Sequence, residues 1–138
     1  MKKSGVINPL LCEAIASLGH TDLLAICDAG LPIPREARRI DVSVTRGVPT
    51  FAQVLSAIAP ELEVERVVMA EEAASANPEA VACVRSLFPE TALEFVAHEN
   101  FKRLIKEAKA VVRTGEFSPY ANAILYSGVA RLFAASLR

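Results

Sequence analysis

Short apolar runs alternate along the whole chain with segments whose apolar residues recur at helical spacing. A strand buried on both faces is a continuous apolar run, whereas a half-buried strand alternates apolar and polar positions. These patterns predict strands over residues 23–27, 40–44, 64–69, 93–95, 110–113 and 123–129. No internal repeat or linker interrupts this alternation, so the chain is expected to form a single domain over residues 1–138.

Two Asn-Pro pairs and a threonine mark predicted helix starts. Asn8-Pro9 and Asn77-Pro78 each place a capping side chain before a proline at the first helical position, where the missing N–H has no intrahelical partner in any case. Thr50 precedes a third apolar-periodic segment, and residues 98–109 form a polar-faced helix. Helices that alternate with strands predict an α/β fold, here a three-layer α/β/α sandwich with a largely parallel central sheet.

The composition narrows the class of protein. Of the 138 residues, 52% are apolar and 22% charged, which excludes a disordered or collagen-like chain. The formal net charge of −1 and the lack of tryptophan argue against nucleic-acid binding, because such binding depends on many phosphate contacts and on aromatic stacking. No uncharged apolar run is long enough for a membrane helix, and no signal peptide is indicated.

The cysteines and histidines predict a protein of a reducing compartment that has no metal site. Cys12, Cys27 and Cys83 are odd in number and show no CxxC spacing, and there are only two histidines. A disulfide framework and a zinc cluster are therefore not expected. We expect reduced thiols in the core of a cytoplasmic protein.

Polar residues gather in four places, and one rule about α/β sheets selects among them. The four clusters are residues 19–22, 28–30, 98–102 and 115–122. In open α/β sheets the ligand crevice lies outside the carboxyl ends of the strands. This rule selects Asp28, which follows the first predicted strand, and the segment that begins at His98.

His20 and Asp28 each have two possible interpretations. His20 follows Gly19 at a predicted helix end, so it either satisfies the terminal carbonyl groups or acts as a general acid or base. Asp28 either closes a turn with its own backbone before Gly30, or supplies a carboxylate that binds substrate hydroxyls or orients His20.

Two further pairs of polar residues are candidates. His98 and Lys102 are four residues apart and would share one helix face, as site residues or as a solvated surface. Tyr120 and Asn122 flank Ala121, as hydrogen-bonding groups of a site or as an ordinary polar strand entry. The glycine-rich phosphate-binding motifs and the nucleophile-elbow motif are absent from the sequence.

The four clusters together resemble the ribose pyranase and fucose mutarotase family of sugar-anomer isomerases. The resemblance covers residues 1–129 and leaves residues 130–138 as a C-terminal extension. The matching motifs are Gly19-His20-Thr21-Asp22, Asp28-Ala29-Gly30-Leu31-Pro32-Ile33-Pro34, Gly47-Val48-Pro49, Ala70-Glu71-Glu72, His98-Glu99-x-Phe101-Lys102 and Gly115-Glu116-x-Ser118-Pro119-Tyr120-Ala121-Asn122. Thr21, Gly30 and Ala121 differ from the residues typical of the fucose arm, so the chain looks like the ribose arm.

The resemblance implies an isomerase that converts β-D-ribopyranose to β-D-ribofuranose and back, in ribose uptake and catabolism, without metal or organic cofactor. It implies His20 as the proton donor. The substrate-binding residues that it implies are Asp28, His98, Lys102, Tyr120, Ala121 and Asn122. It also implies a homodecamer of two pentameric rings with sites between subunits. The alternatives are an L-fucose mutarotase-like anomerase, a non-catalytic ribose-binding accessory protein, and a purely structural role for the clusters as caps and turns.

Overall fold

The computed structural model describes residues 1–130, which form a six-stranded sheet with helices on both faces. The strands are β1 (Leu23–Cys27), β2 (Arg39–Asp41), β3 (Val64–Ala70), β4 (Ala92–Val96), β5 (Ala110–Arg113) and β6 (Ala123–Ser127). The helices are α1 (Pro9–Ser17), α2 (Phe51–Ile58), α3 (Glu72–Ala76), α4 (Pro78–Leu87) and α5 (His98–Leu104).

The strand order is β2-β5-β1-β6-β3-β4. Within this sheet β6 is antiparallel to both of its neighbours, β1 and β3, and the remaining pairings are parallel. The predicted largely parallel sheet is therefore confirmed. We call the edge at which β1, β3 and β5 end the carboxyl edge. Because β6 runs the other way, it begins at the carboxyl edge and ends at the opposite, amino edge.

Both faces of the sheet are covered, which confirms the predicted three layers. Leu24 and Ile26 of β1 belong to the core under α1, α2 and α4, whereas Ala25 of the same strand packs on the side of α5. Phe51 from α2 and Phe101 from α5 are almost fully buried, one in each core. Burying an aromatic side chain of this size contributes roughly 1.5–3 kcal/mol, so each helix layer is held by apolar contact with the sheet.

The predicted helix caps are confirmed. The Asn8 side-chain oxygen accepts the Leu11 N–H at 3.0 Å, and Asn77 caps α4 in the same way. Thr50 and Gln53 form a reciprocal capping box at the start of α2, which satisfies two N–H groups that lack intrahelical partners.

Several predicted bounds were wrong. The strand predicted over residues 40–44 is only Arg39–Asp41, because the Asp41 carboxylate turns the chain by accepting the Ser43 N–H at 3.0 Å. The helix predicted over 98–109 ends at Leu104 and continues as the 3₁₀ turn Ile105–Glu107. Helix α3 has no counterpart among the predicted elements, since five residues are too few to display a helical period.

Residues 131–138 lie outside the described residues, and so does most of the expected C-terminal extension. Within residues 1–130 no helix has both the length and the apolar character needed to cross a membrane.

Candidate functional site

A cavity of about 480 Å³ opens at the carboxyl edge of the sheet. Its lining comes from the segments that follow β1, β4 and β5 and from the segment that precedes β6. The lining residues are Asp28, Ala29, Gly30, Leu31, Pro32, His98, Arg113, Glu116, Phe117, Ser118, Pro119, Tyr120 and Asn122. The cavity therefore lies where the sheet rule places a ligand crevice.

Asp28 forms the predicted turn and also faces the cavity. Its Oδ1 accepts the N–H groups of Gly30 and Leu31 at 3.0 and 2.8 Å. Burial raises the pKa of the Asp28 carboxyl above its ordinary value, and these two hydrogen bonds and one from Asn122 oppose the shift. An ionised carboxylate has about four acceptor positions, so the turn leaves Asp28 able to accept a ligand hydroxyl. The two readings of this residue are compatible.

Asn122 joins the two central strands at the cavity floor. It is 1% exposed, and its Oδ1 accepts the Asp28 N–H at 2.8 Å. This contact links the start of β6 to the end of β1 across their antiparallel pairing. Ala121 is equally buried, while Tyr120 takes a left-handed backbone conformation with φ 56°. Such a conformation is uncommon outside glycine and asparagine, and at Tyr120 it occurs on the cavity wall.

His98 begins α5 and contacts Tyr120 across the cavity wall. The two rings meet edge to face with centroids 5.1 Å apart, and the His98 ring stacks on Phe101. Glu72 of α3 accepts the His98 main-chain N–H at 3.0 Å, so the unpredicted helix satisfies the first N–H group of α5. The Nδ1 atom of His98 is buried and has no hydrogen-bond partner among the described residues.

Sequence reasoning missed Arg113, which also lines the cavity. Its guanidinium donates to the Ala29 carbonyl at 3.1 Å, to Asp41 at 3.1 Å and to the Ser43 hydroxyl at 2.7 Å. It therefore ties the segment after β1 to the end of β2. The strand-end rule that selected Asp28 could have selected Arg113 as well, because Arg113 ends β5. Placing Arg113 beside Asp28, however, requires the order of strands in the sheet.

The loop between β5 and β6 is braced by Glu116 and Asn77. Glu116 accepts the Phe51 N–H at 3.1 Å and the Ser118 hydroxyl at 2.9 Å. Burial acts to raise the pKa of Glu116, but hydrogen bonds from Ser118 and Phe51 hold it below its ordinary value. Asn77 donates to the Ser118 hydroxyl and to the Pro119 carbonyl at 2.9 and 2.8 Å. The loop that carries Tyr120 is thus fixed from two helices.

Cys27 directly precedes Asp28, but its thiol is not a candidate nucleophile. Burial, reinforced by the Asp28 charge, raises the pKa of the thiol to about 12. A thiolate is the reactive form of cysteine, so Cys27 serves as a core residue, as predicted. Among residues 1–130, no group of three His, Cys, Asp or Glu side chains is arranged to hold a metal ion.

Lys102 lies beside the cavity, outside its lining. It lines a neighbouring groove together with Ile33 and Arg103, and that groove meets the cavity at Pro32. Its ammonium pairs with Glu99 at 2.8 Å. Lys102 shares the α5 face with His98, as its spacing predicts, but in this chain it contacts Glu99.

His20 lies at the amino edge, away from the cavity. Its Nε2 is 2.9 Å from Glu65 Oε2, and its side chain is 54% exposed. The five residues of β1 separate Asp22 from Asp28, which places the two edges about 20 Å apart at ~3.3 Å per residue. The hypothesis that Asp28 orients His20 is therefore wrong within one chain. The capping interpretation is wrong as well, because α1 ends at Ser17 and His20 pairs with a carboxylate.

The cavity combines acceptors, donors and aromatic or apolar walls. Asp28 and Glu116 supply carboxylate oxygens, Arg113 supplies N–H groups, and Tyr120 and His98 supply rings with polar atoms. A few fixed polar groups in a partly apolar pocket suit a small ligand with several hydroxyl groups. The fold and the cavity thus define an α/β protein with a cavity at the strand ends whose lining suits a small polar molecule.

The chain belongs to the RbsD / FucU transport protein family, whose sequence model matches residues 1–130. It is 52% identical over 129 residues to a D-ribose pyranase from Bacillus velezensis, covering 94% of this chain and 98% of that one. It is 50% identical to a D-ribose pyranase from Haemophilus influenzae, covering 94% and 99% of the two chains.

Two solved structures share the fold. Bacillus subtilis RbsD complexed with D-ribose aligns with a TM-score of 0.91 and 47% identity, over 94% of this chain and 99% of that chain. The fucose mutarotase of Streptococcus pneumoniae in complex with L-fucose aligns with a TM-score of 0.76 and 25% identity, over 90% and 94% of the chains. The predicted α/β sandwich and the predicted family are both confirmed, and the ribose arm is the more similar of the two.

Proposed function

We propose that this protein is an isomerase that acts as a D-ribose pyranase and interconverts β-D-ribopyranose and β-D-ribofuranose. The observation that carries the proposal is the sequence identity of 50–52%, over 94% of the chain, to proteins named D-ribose pyranase. The likeness to RbsD complexed with D-ribose supports the same ligand. The strand-end cavity, with its carboxylates and ring-bearing side chains, is of a size and polarity that suit one monosaccharide.

The reaction opens a hemiacetal and closes it through another hydroxyl. The ring oxygen gains a proton while the anomeric hydroxyl loses one, the bond between C1 and the ring oxygen breaks, and the open-chain aldehyde forms. The 4-hydroxyl then attacks C1 and loses its proton as the carbonyl oxygen gains one. Substrate and product have the same composition and no electrons are transferred, so two proton-transfer groups and a set of hydroxyl ligands suffice. A positioned acid or base typically contributes ~10²–10⁴-fold to such a rate.

The sugar-binding residues in this proposal are those that the resemblance implied. Asp28 accepts a hydroxyl hydrogen, and Asn122 holds Asp28 in place. Tyr120 and His98 form one wall, with their rings in edge-to-face contact. Ala121 contributes through its backbone, because its side chain is buried. Lys102 reaches the sugar only if it leaves Glu99 for the neighbouring cavity.

His20 acts as the proton donor in this proposal, and it comes from a neighbouring copy of the chain. The distance of roughly 20 Å between the two sheet edges prevents His20 and Asp28 of one chain from touching one sugar. The exposed apolar side chains of Val44, Val48 and Phe117 support contact between copies, because Phe117 is 59% exposed and also lines the cavity. The assembly that we propose is the homodecamer of two pentameric rings, working in the cytoplasm, with residues 1–138 as one sugar-isomerase domain.

The test is saturation-transfer NMR on equilibrated D-ribose, which measures exchange between the pyranose and furanose anomeric signals. We expect catalytic amounts of the protein to accelerate this exchange and His20→Ala to abolish the acceleration. The same measurement with L-fucose separates the two arms of the family. Unchanged ribose exchange, together with a ribose-dependent rise in melting temperature, would reveal a binding protein and overturn the isomerase proposal, because a ligand that binds only the native state stabilises it.

A further inference from the structure

The carboxylate of Glu65 is the hydrogen-bond partner of His20. Its Oε2 lies 2.9 Å from His20 Nε2, and the two side chains are 43% and 54% exposed. Glu65 belongs to β3 and lies at a register shift in its pairing with β6, between the partnered positions of Val64 and Arg66. A bulge of this kind changes the direction in which a side chain points. Here the side chain reaches the turn that carries His20.

The turn around His20 is held from several sides. The Asp22 carboxylate accepts the Gly19 N–H at 2.8 Å and pairs with Lys109 at 3.3 Å. The Thr21 N–H donates to the Ser127 carbonyl at 2.8 Å. Thr21 itself has φ 73°, a conformation that is sparsely populated for a β-branched residue. A sparsely populated conformation persists where its surroundings over-determine it, so the backbone that presents His20 is fixed before any ligand binds.

We propose that Glu65 is a positioning residue for His20, and that it leaves Nδ1 as the nitrogen that exchanges a proton with the sugar. This inference rests on the role of His20 in the proposed function. A carboxylate can only accept, so the nitrogen that faces Glu65 carries the hydrogen. Neutral His20 then has its lone pair on Nδ1, and protonated His20 gives up its proton from that atom. An acceptor behind the ring thereby selects both the tautomer and the ring orientation.

An exposed contact of this kind, which is an ion pair only while His20 is protonated, contributes little to stability. The expected effect of removing it is therefore on the rate and not on folding. Misplacing a reacting group by about an ångström can lower a rate ~100-fold. We expect Glu65→Ala to lower the catalysed exchange rate by about 10- to 100-fold while the KM for ribose stays within about twofold.

The matched variants separate positioning from charge. Glu65→Gln keeps a side-chain oxygen that can accept the Nε2 hydrogen, so we expect it to recover most of the rate that Glu65→Ala loses. Glu63→Ala removes the same charge two residues earlier, from an exposed residue, and we expect it to leave the rate unchanged. Glu65→Ala should add no further loss to a His20→Ala chain, because residues that act as a unit are not additive.

The tautomer provides a readout that a structural role would not change. Nitrogen-15 NMR of the imidazole should show the Nε2–H form of His20 in the original chain and a mixture of tautomers in Glu65→Ala. Full activity of Glu65→Ala beside an inactive His20→Ala would overturn the inference and leave the proposed function standing. An active His20→Ala would instead remove the role of His20. Equal losses in Glu65→Ala and Glu65→Gln, accompanied by a change of assembly size, would show a structural role and also overturn the inference.

Discussion

His20 and Asp28 lie at opposite ends of strand β1, although the resemblance implies that both act on one sugar. Asp28 lines the cavity at the carboxyl edge, whereas His20 pairs with Glu65 at the amino edge. The strand between them is fully buried and pairs on both sides with β5 and β6. It cannot bend to bring its ends together, so joint action requires two copies of the chain.

Mixing two inactive chains should therefore restore activity. His20→Ala keeps the cavity and loses the proton donor, while Asn122→Ala keeps His20 and damages the cavity floor. In assemblies formed by co-expression in equal amounts, we expect about a quarter of the sites to combine an intact cavity with an intact His20, as random placement in a symmetric homo-oligomer requires. Saturation-transfer NMR measures the recovered exchange.

The control for this mixing experiment is His20→Ala co-expressed with the double variant His20→Ala/Asn122→Ala. No site in those assemblies contains His20, so their exchange should equal that of ribose alone. If both mixtures stayed inactive although the two chains co-assembled, His20 would not be supplied by a neighbouring copy.

Asn77→Ala should affect both stability and sugar binding, whereas Asn8→Ala should affect stability alone. Both asparagines precede a proline and cap a helix, and loss of such a cap costs ~1 kcal/mol. Only Asn77 also donates to Ser118 and Pro119 in the loop that carries Tyr120. Urea unfolding should show the larger loss for Asn77→Ala, because this variant also gives up its hydrogen bonds to Ser118 and Pro119. Calorimetric titration with D-ribose should show weaker binding for Asn77→Ala alone. Equal ribose affinity in both variants would show that the contact between Asn77 and this loop does not support sugar binding.

Asp28→Asn should reduce the decline of stability with rising pH. Because burial raises the pKa of Asp28 in the folded chain, the native state binds more protons than the unfolded state between the two pKa values. The free energy of unfolding therefore falls as pH rises through that interval. Asparagine does not titrate, so this contribution disappears. Urea unfolding from about pH 3 to 7 measures it, a range that includes the ordinary aspartate pKa.

Asp41→Asn provides a control of opposite sign for that experiment. Burial opposes ionisation of Asp41, but hydrogen bonds from Ser43 and Arg113 hold its pKa below the ordinary value. Its carboxylate thus contributes stability that is lost as pH falls through the folded pKa, and the variant should lose this acid-side dependence. Identical pH slopes for Asp28→Asn and the original chain would contradict the buried setting described for Asp28.

Gly115→Ala should destabilise the loop next to the cavity. A Cβ at this position would lie 2.5 Å from the Val48 carbonyl oxygen and 2.6 Å from that of Thr45. These are backbone atoms of the hairpin that hydrogen-bonds Gly115, so the hairpin must move, at a cost of about 1–3 kcal/mol. Gly30→Ala is the control, because the nearest atom to its Cβ would be 3.8 Å away. Urea unfolding should place the Gly30 variant close to the original chain, and equal stabilities for both variants would refute the clash.

Much of the local structure could be predicted from the sequence. The run from Leu23 to Cys27 is continuous and apolar because that strand is buried on both faces, and its predicted bounds agree with β1. The Asn8, Thr50 and Asn77 caps follow from side chains that satisfy the first N–H groups of a helix. Both kinds of signal act over a few residues, so neither depends on the rest of the fold.

The cavity could be predicted only in part. Asp28 and His98 were selected because they follow predicted strands, and both line the cavity. Arg113 was missed, since its place beside Asp28 requires β5 to pair with β1, a contact between segments more than 80 residues apart. The short helix α3, which brings Glu72 to the start of α5, carries no period that a sequence pattern could reveal.

The α/β class, the helix caps and the polar clusters can be recognised from the chain alone, because periodicity and capping are properties of short segments. Which of these clusters meet depends on the tertiary structure. The antiparallel insertion of β6 brings Asn122 to Asp28, and the direction of β1 carries His20 to the other edge of the sheet. Strand order and direction arise from pairings between distant segments, and they cannot be predicted from the spacing of residues along the chain.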